Sequence, residues 1–198
     1  MNMLCALKPW AIGVIIGAVV LVIIIVLVAW YISMKNSLIR TVNRTDESWS
    51  TIDVYLKKRY DLIPNLVNVV KGYAKHEEGT FTKVAELRSA VANAATQTER
   101  IEAEKQLGSA LTTFMNMTVE RYPDLKANTN FLDLQNQLKS IEGELVQARK
   151  YYNGNVRAYN DIIMVFPTSI PARKMRLEKR PYFELDSAEE RKAPVVQF

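Results

Sequence analysis

From residue 11 to residue 32 the chain reads AIGVIIGAVVLVIIIVLVAWYI. That is roughly 22 positions without a charge, where about 20 suffice for a helix to cross the hydrocarbon core of a bilayer. About 15 of them are Ile, Leu or Val, and at a few tenths of a kcal/mol each they favour insertion by on the order of 5 kcal/mol. A buried helix of a soluble protein rarely runs this long without a polar face. A secretory signal would have a shorter apolar core and a small-x-small cleavage site, but this core runs into Trp30, Tyr31, Ile32, Ser33 and Met34. Trp10 and the Trp30–Tyr31 pair mark its two ends, where interfacial aromatics belong. The segment therefore reads as an uncleaved, single-pass anchor. Gly13 and Gly17 form a Gly-x-x-x-Gly pair, a place where two membrane helices can approach closely.

Everything after residue 32 is a tethered domain large enough for one core. Glycine and proline are scarce, at 7 each, and the commonest residues suit helices. The single cysteine rules out an internal disulfide and argues against a structural zinc site. Net charge is +5. Part of the excess is a cluster near the C-terminus: Arg173, Lys174, Arg176, Lys179 and Arg180. In a tethered protein such a cluster points to anionic lipid head groups before nucleic acid. Lys35, Arg40 and Arg44 follow the anchor while Lys8 precedes it, so the positive-inside rule places the domain in the cytoplasm.

Four helical stripes follow. Leu38, Val42, Thr45, Trp49, Ile52 and Leu56 recur at spacings of three and four, and no proline or glycine in residues 33–37 separates this helix from the anchor. Pro64 then interrupts: either the helix bends there or, the reading preferred for matched helix lengths, a tight turn at 60–65 with Asp61 as N-cap reverses it. The second helix is expected to run to about Ala95, with Gly79 in its middle. A third, from about Glu99, carries Ile101, Leu107, Leu111 and Phe114 and stops before Tyr122-Pro123. The fourth carries Phe131, Leu138, Leu145, Tyr152, Tyr159 and Ile163 and is stopped by Pro167. Residues 168–198 contain three prolines and no periodicity, and are expected to be extended. The fold class is all-α: a leader (1–10), a transmembrane helix (11–32), an up-and-down four-helix bundle (33–167) and a basic tail (168–198). An even number of helices returns the chain, and the tail, to the bilayer.

Several ordered motifs resemble those of the LemA family. They are Arg59-Tyr60-Asp61-Leu62-Ile63-Pro64-Asn65-Leu66-Val67, Lys71-Gly72-Tyr73-Ala74-Lys75-His76-Glu77 and Tyr122-Pro123-Asp124-Leu125-Lys126-Ala127-Asn128. Ala148-Arg149, Tyr152-Asn153, Val156-Arg157, Tyr159-Asn160, Phe166-Pro167 and Pro181-Tyr182-Phe183 extend the likeness over nearly all of the chain beyond Leu38. The resemblance implies a bacterial four-helix bundle behind a membrane helix, and no particular reaction. After Phe166-Pro167 the chain departs from the family, with Ile170-Pro171-Ala172-Arg173-Lys174 in place of an apolar, glycine-containing stretch.

No familiar catalytic set is spelled out. A di-iron bundle needs two Glu-x-x-His pairs, and this chain has one histidine, His76. His76-Glu77-Glu78-Gly79-Thr80 lacks the second histidine of a zinc-peptidase helix. Cys5 lies across the apolar core from His76 in sequence. Glu142 and Glu144, two apart on a helix, share no face and are expected to be solvated. Arg59, Asp61, Arg149 and Asn153 are expected to hold helix ends in register, beside the turn residues Pro64, Tyr122, Pro123 and Asp124. Tyr152 and Tyr159 are expected in the core. No glycine loop for phosphates occurs. The reading is a non-enzymatic interaction or scaffold module, without cofactor or nucleic acid. Its partners are membrane lipids, other membrane proteins or copies of itself. The alternative is a sensor bundle holding a small ligand between its helices.

Overall fold

The computed structural model describes residues 9–73 and 78–183. Its elements are α1 (Pro9–Lys71), α2 (Glu78–Asn93), α3 (Gln97–Arg121), a 3₁₀ turn (Pro123–Ala127), α4 (Thr129–Met164) and α5 (Ser169–Lys174). The protein is all-helical, and no strand occurs among the described residues. The chain divides into two compact units. One joins α1 up to Arg44 with Ala158–Lys179, and the other joins Thr45–Arg157 with the segment from Arg180 onward.

In the larger unit, α1 buries Ile52, Leu56, Ile63, Leu66 and Val70. The expected turn at Pro64 does not form: α1 continues through it for two more turns. Proline there deletes one backbone bond at a cost of about 3 kcal/mol. Ile63, Leu66 and Val70 stay in phase with Ile52 and Leu56, and their burial against α2, α3 and α4 offsets that loss. The helix breaks instead after Lys71, so α2 is shorter than expected and Gly79 lies in its first turn. Phe81 of α2 meets Phe114 of α3 edge-on, 5.8 Å between ring centres. Thr96 caps α3: its side chain accepts from the Glu99 N–H, and the Glu99 carboxylate accepts from the Thr96 N–H at 3.3 Å. This reciprocal pair is a capping box. Leu125 in the 3₁₀ turn and Phe131 of α4 close the same core, both fully buried.

α4 runs antiparallel to α1. Trp49 packs on Tyr152 with ring centres 5.4 Å apart, the Tyr55 hydroxyl donates to Glu144, and Arg59 pairs with Glu142. Tyr152, as expected, is fully buried.

In the smaller unit, residues 10–32 of α1 form the one described helical stretch long and apolar enough to cross a membrane. An 18-residue window of it has a mean hydropathy of 3.5, and none of that window is buried by the described residues. Past it, Leu38 and Val42 pack with Tyr159, Ile162 and Ile163 of α4 and with Ala172, Met175 and Leu177. The Thr168 hydroxyl lies within hydrogen-bond distance of the Ile162 and Val165 carbonyls at the end of α4, and the Val165 carbonyl also accepts the Ser169 N–H at 2.9 Å. The stretch after Pro167 is not simply extended as expected, because it includes α5. Leu177 N–H bonds to Ala172 O and Arg176 N–H to Arg173 O, with Arg176 at φ 53. This is a Schellman stop with arginine where glycine is usual. Tyr159 is buried and donates to the Glu178 carbonyl at 2.9 Å, tying the chain after α5 to α4.

Candidate functional site

Two of the helical stripes in the larger unit each carry one charge where an apolar residue would serve. On α1, Arg59 continues the line of Ile52, Leu56, Ile63 and Leu66. On α3, Glu104 continues that of Ile101, Leu107 and Leu111. Both are 1% exposed. The helices bring them together: one Arg59 nitrogen, Nη2, donates to the Glu104 carboxylate and, at 3.1 Å, to the Glu104 carbonyl. The other, Nη1, donates to Glu142 of α4 at 2.7 Å. Gly108, one turn beyond Glu104, makes the space, since a Cβ there would stand 3.1 Å from Arg59 Nη1. Arg59 thus ties α1 to α3 and α4.

The electrostatics follow from burial. Desolvation pushes the Glu104 carboxyl above the usual range, and Arg59, Arg100 and Arg149 pull it only part of the way back. For Arg59, desolvation alone favours the neutral form, but two carboxylates outweigh it and hold the guanidinium above its ordinary value. Arg149 is lowered, first by its own burial and then by the charge of Arg59. Each acid here faces a cation, so the cluster is arranged to neutralise charge inside a core. At its edge, an open cavity of about 520 Å³ between α1, α2 and α3 is lined by residues that include Asp53, Tyr60, Arg100 and Glu104.

A second feature lies on α4. Asn153 accepts the Phe183 N–H at 2.8 Å and donates to the Phe183 carbonyl at 2.9 Å. Tyr152 donates to the Pro181 carbonyl at 3.0 Å. Burial pushes the Tyr152 hydroxyl up to about 12, so it stays a donor across the ordinary pH range. The Arg149 guanidinium sits 4.5 Å from the Phe183 ring centre. These bonds lay Pro181–Phe183 along α4 and leave an open groove of about 710 Å³. Val146, Arg149, Lys150, Asn153, Gly154, Arg157, Tyr182 and Phe183 line it. Its charged lining residues are all basic.

The sequence-predicted residues divide accordingly. Arg59 and Asp61 do not pair: Asp61 is exposed and bonds Lys57 at 3.0 Å. Arg149 and Asn153 do act together, on the tail. Pro64 lies within α1, while Tyr122, Pro123 and Asp124 form the α3 exit and the start of the 3₁₀ turn. Glu142 and Glu144 keep solvent contact, as expected, but each also has a partner: Glu142, its side chain 43% exposed, accepts from Arg59, and the exposed Glu144 accepts from Tyr55. Of the basic cluster, Arg173, Lys174, Arg176 and Lys179 are exposed, whereas Arg180 pairs with Asp46. Glu104 and Gly108 were missed. The signal for Glu104 was there: a glutamate on an apolar stripe asks for a cation on another. His76 and Cys5 lie outside the described residues. Among the described residues no group of three His, Cys, Asp or Glu side chains is placed to hold a metal ion.

Residues 48–198 match the LemA family profile. The chain is also similar to Protein LemA of Metamycoplasma hominis, with 28% identity over 160 residues that cover 80% of this chain and 73% of that protein.

Proposed function

The chain belongs to the LemA family, and from that premise we propose that it is a membrane-tethered helical module whose work is to bind other proteins. The observation that carries this reading is the groove on α4. It pairs exposed apolar side chains, Val146 (55% exposed) and Tyr182 (37%), with the cations Arg149, Lys150 and Arg157. Aromatic and arginine side chains around a small apolar centre are what interfaces favour. The occupant that fits is an acidic segment with an apolar anchor. By sequence, a second copy of the chain offers one in residues 184–190, which include Glu184, Asp186, Glu189 and Glu190. The tether is residues 10–32, in the same continuous helix that enters the protein core.

The test is a photo-crosslinking amino acid at Val146 in the full-length chain, irradiated in native membranes, with Leu132 as the comparison position. The expected result is a discrete protein adduct at Val146, absent at Leu132 and lost when Lys150 and Arg157 become Glu. An adduct of twice the chain mass identifies self-association. Crosslinking only within the chain, or equal adducts at both positions, overturns the reading. A small-molecule adduct at Val146 would instead favour a ligand sensor.

A further inference from the structure

We propose that the turn after α4 is a second membrane contact, in which Val165, Phe166 and Ile170 enter the head-group layer beside the anchor and Arg173 and Lys174 meet lipid phosphates. The proposal rests on the membrane-tether reading and adds to it.

The apolar side chains at this turn face outward. Met164 is 51% exposed, Val165 59%, Phe166 74% and Ile170 56%. A soluble surface rarely gathers so many large apolar groups without a partner. The turn is nevertheless held in place: Thr168 caps α4, and Ala172, Ile163 and Leu38 pack behind it. Its exposed side chains are therefore presented on a fixed base.

Position identifies the occupant. Leu38 lies six residues past Ile32, about 9 Å along the helix at roughly 1.5 Å per residue. Leu38 packs with Ile163, and α4, antiparallel to α1, points back toward Ile32. α4 ends one residue further, at Met164, about 1.5 Å nearer the hydrocarbon edge at the same rise, and Val165 and Phe166 follow in the turn. The turn therefore begins roughly 7–8 Å from that edge, at the outer face of a head-group layer about 5–7 Å deep on each side. The apolar turn thus continues the lipid-facing surface of the anchor. Charge agrees with this placement. Lys35, Arg40, Arg173 and Lys174 are exposed in the same unit, against the carboxylates Asp161 and Glu178, and cations near anionic lipid are stabilised.

The experiment uses the full chain in nanodiscs at one copy per disc, with anionic or neutral lipid. Cys5→Ser removes the native thiol. Phe166→Cys carries an environment-sensitive fluorophore, and Asn136→Cys, exposed on α4 of the larger unit, is the reference. At position 166 the emission should shift to the blue and lose most of its intensity to lipids carrying a quencher high on the acyl chain. At position 136 neither should happen. Arg173→Gln with Lys174→Gln should reduce the quenching at position 166 in anionic discs and not in neutral ones. Water-like emission at position 166 in discs that do hold the chain overturns the proposal and leaves the tether intact. A blue shift that needs two chains per disc and ignores the lipid quencher assigns the turn to a second copy and also overturns it. Failure of the chain to enter discs overturns both readings.

Discussion

The two halves of α1 are one uninterrupted helix with opposite rules for charge. Residues 11–32 hold none, and among the described residues none packs over them to bury them. In the second half an arginine is fully buried, because Glu104 and Glu142 arrive from two other helices to meet it. Backbone conformation is the same in both. What differs is whether a low-dielectric environment comes with a partner. An apolar surround excludes a charge unless a counter-charge and hydrogen bonds are built in with it.

The sharpest way to break this comparison is at Arg59. Arg59→Ala leaves Glu104 buried without its cation and is expected to cost about 3–5 kcal/mol, the range for breaking a buried pair. Denaturant melts of the full chain in detergent measure it. Arg59→Met combined with Glu104→Met should recover most of the loss, since apolar groups of similar volume often replace such pairs without penalty. A loss of less than about 0.5 kcal/mol in Arg59→Ala, the level of ordinary surface changes, would mean the pair is not buried in solution.

The complementary change puts a charge into the other half. Ile23→Lys places a cation at the middle of the apolar run with no acid near it in sequence. Insertion should weaken by about 3 kcal/mol, read as the fraction of chain that resists carbonate extraction from membranes. Unchanged retention would remove the distinction between the two halves.

The smallest effect is in pH. Burial raises the Glu104 carboxyl in the folded chain, so the folded state keeps that proton to higher pH than the unfolded chain does. Its contribution to stability is then complete below the unfolded value and is lost as pH rises through the folded one. Compared with Glu104→Gln, which does not titrate, the native chain should lose relative melting temperature as pH goes from about 4 to about 7, a range that begins near the ordinary glutamate value. The opposite slope would show that the arginines, and not burial, control this carboxyl.

Much of the fold was legible because it rests on local rules. Leu38, Ile52, Leu56, Phe131, Tyr152 and Tyr159 were placed in the core by periodicity alone, and all are buried. Pro64 was misread for a physical reason: the cost of proline is local, while the burial of Ile63, Leu66 and Val70 that offsets it depends on α2, α3 and α4. The site was less legible. Arg59 was expected to hold a helix end in register, but its partners Glu104 and Glu142 lie on two other helices, and spacing shows only what lies nearby along one helix.

The sequence by itself determined the apolar run, the helical stripes and the motifs of the family, since these need only composition and a period of 3.6 residues. Tertiary structure decided who meets whom. It brought Glu104 and Glu142 to Arg59 across separations of 45 and 83 residues. It bound Asn153 to the backbone of Phe183, and it gave Arg180 to Asp46 rather than leaving it exposed with Lys179. A charge is satisfied by whatever lies within a few ångströms in space, and one chain's sequence does not state those distances.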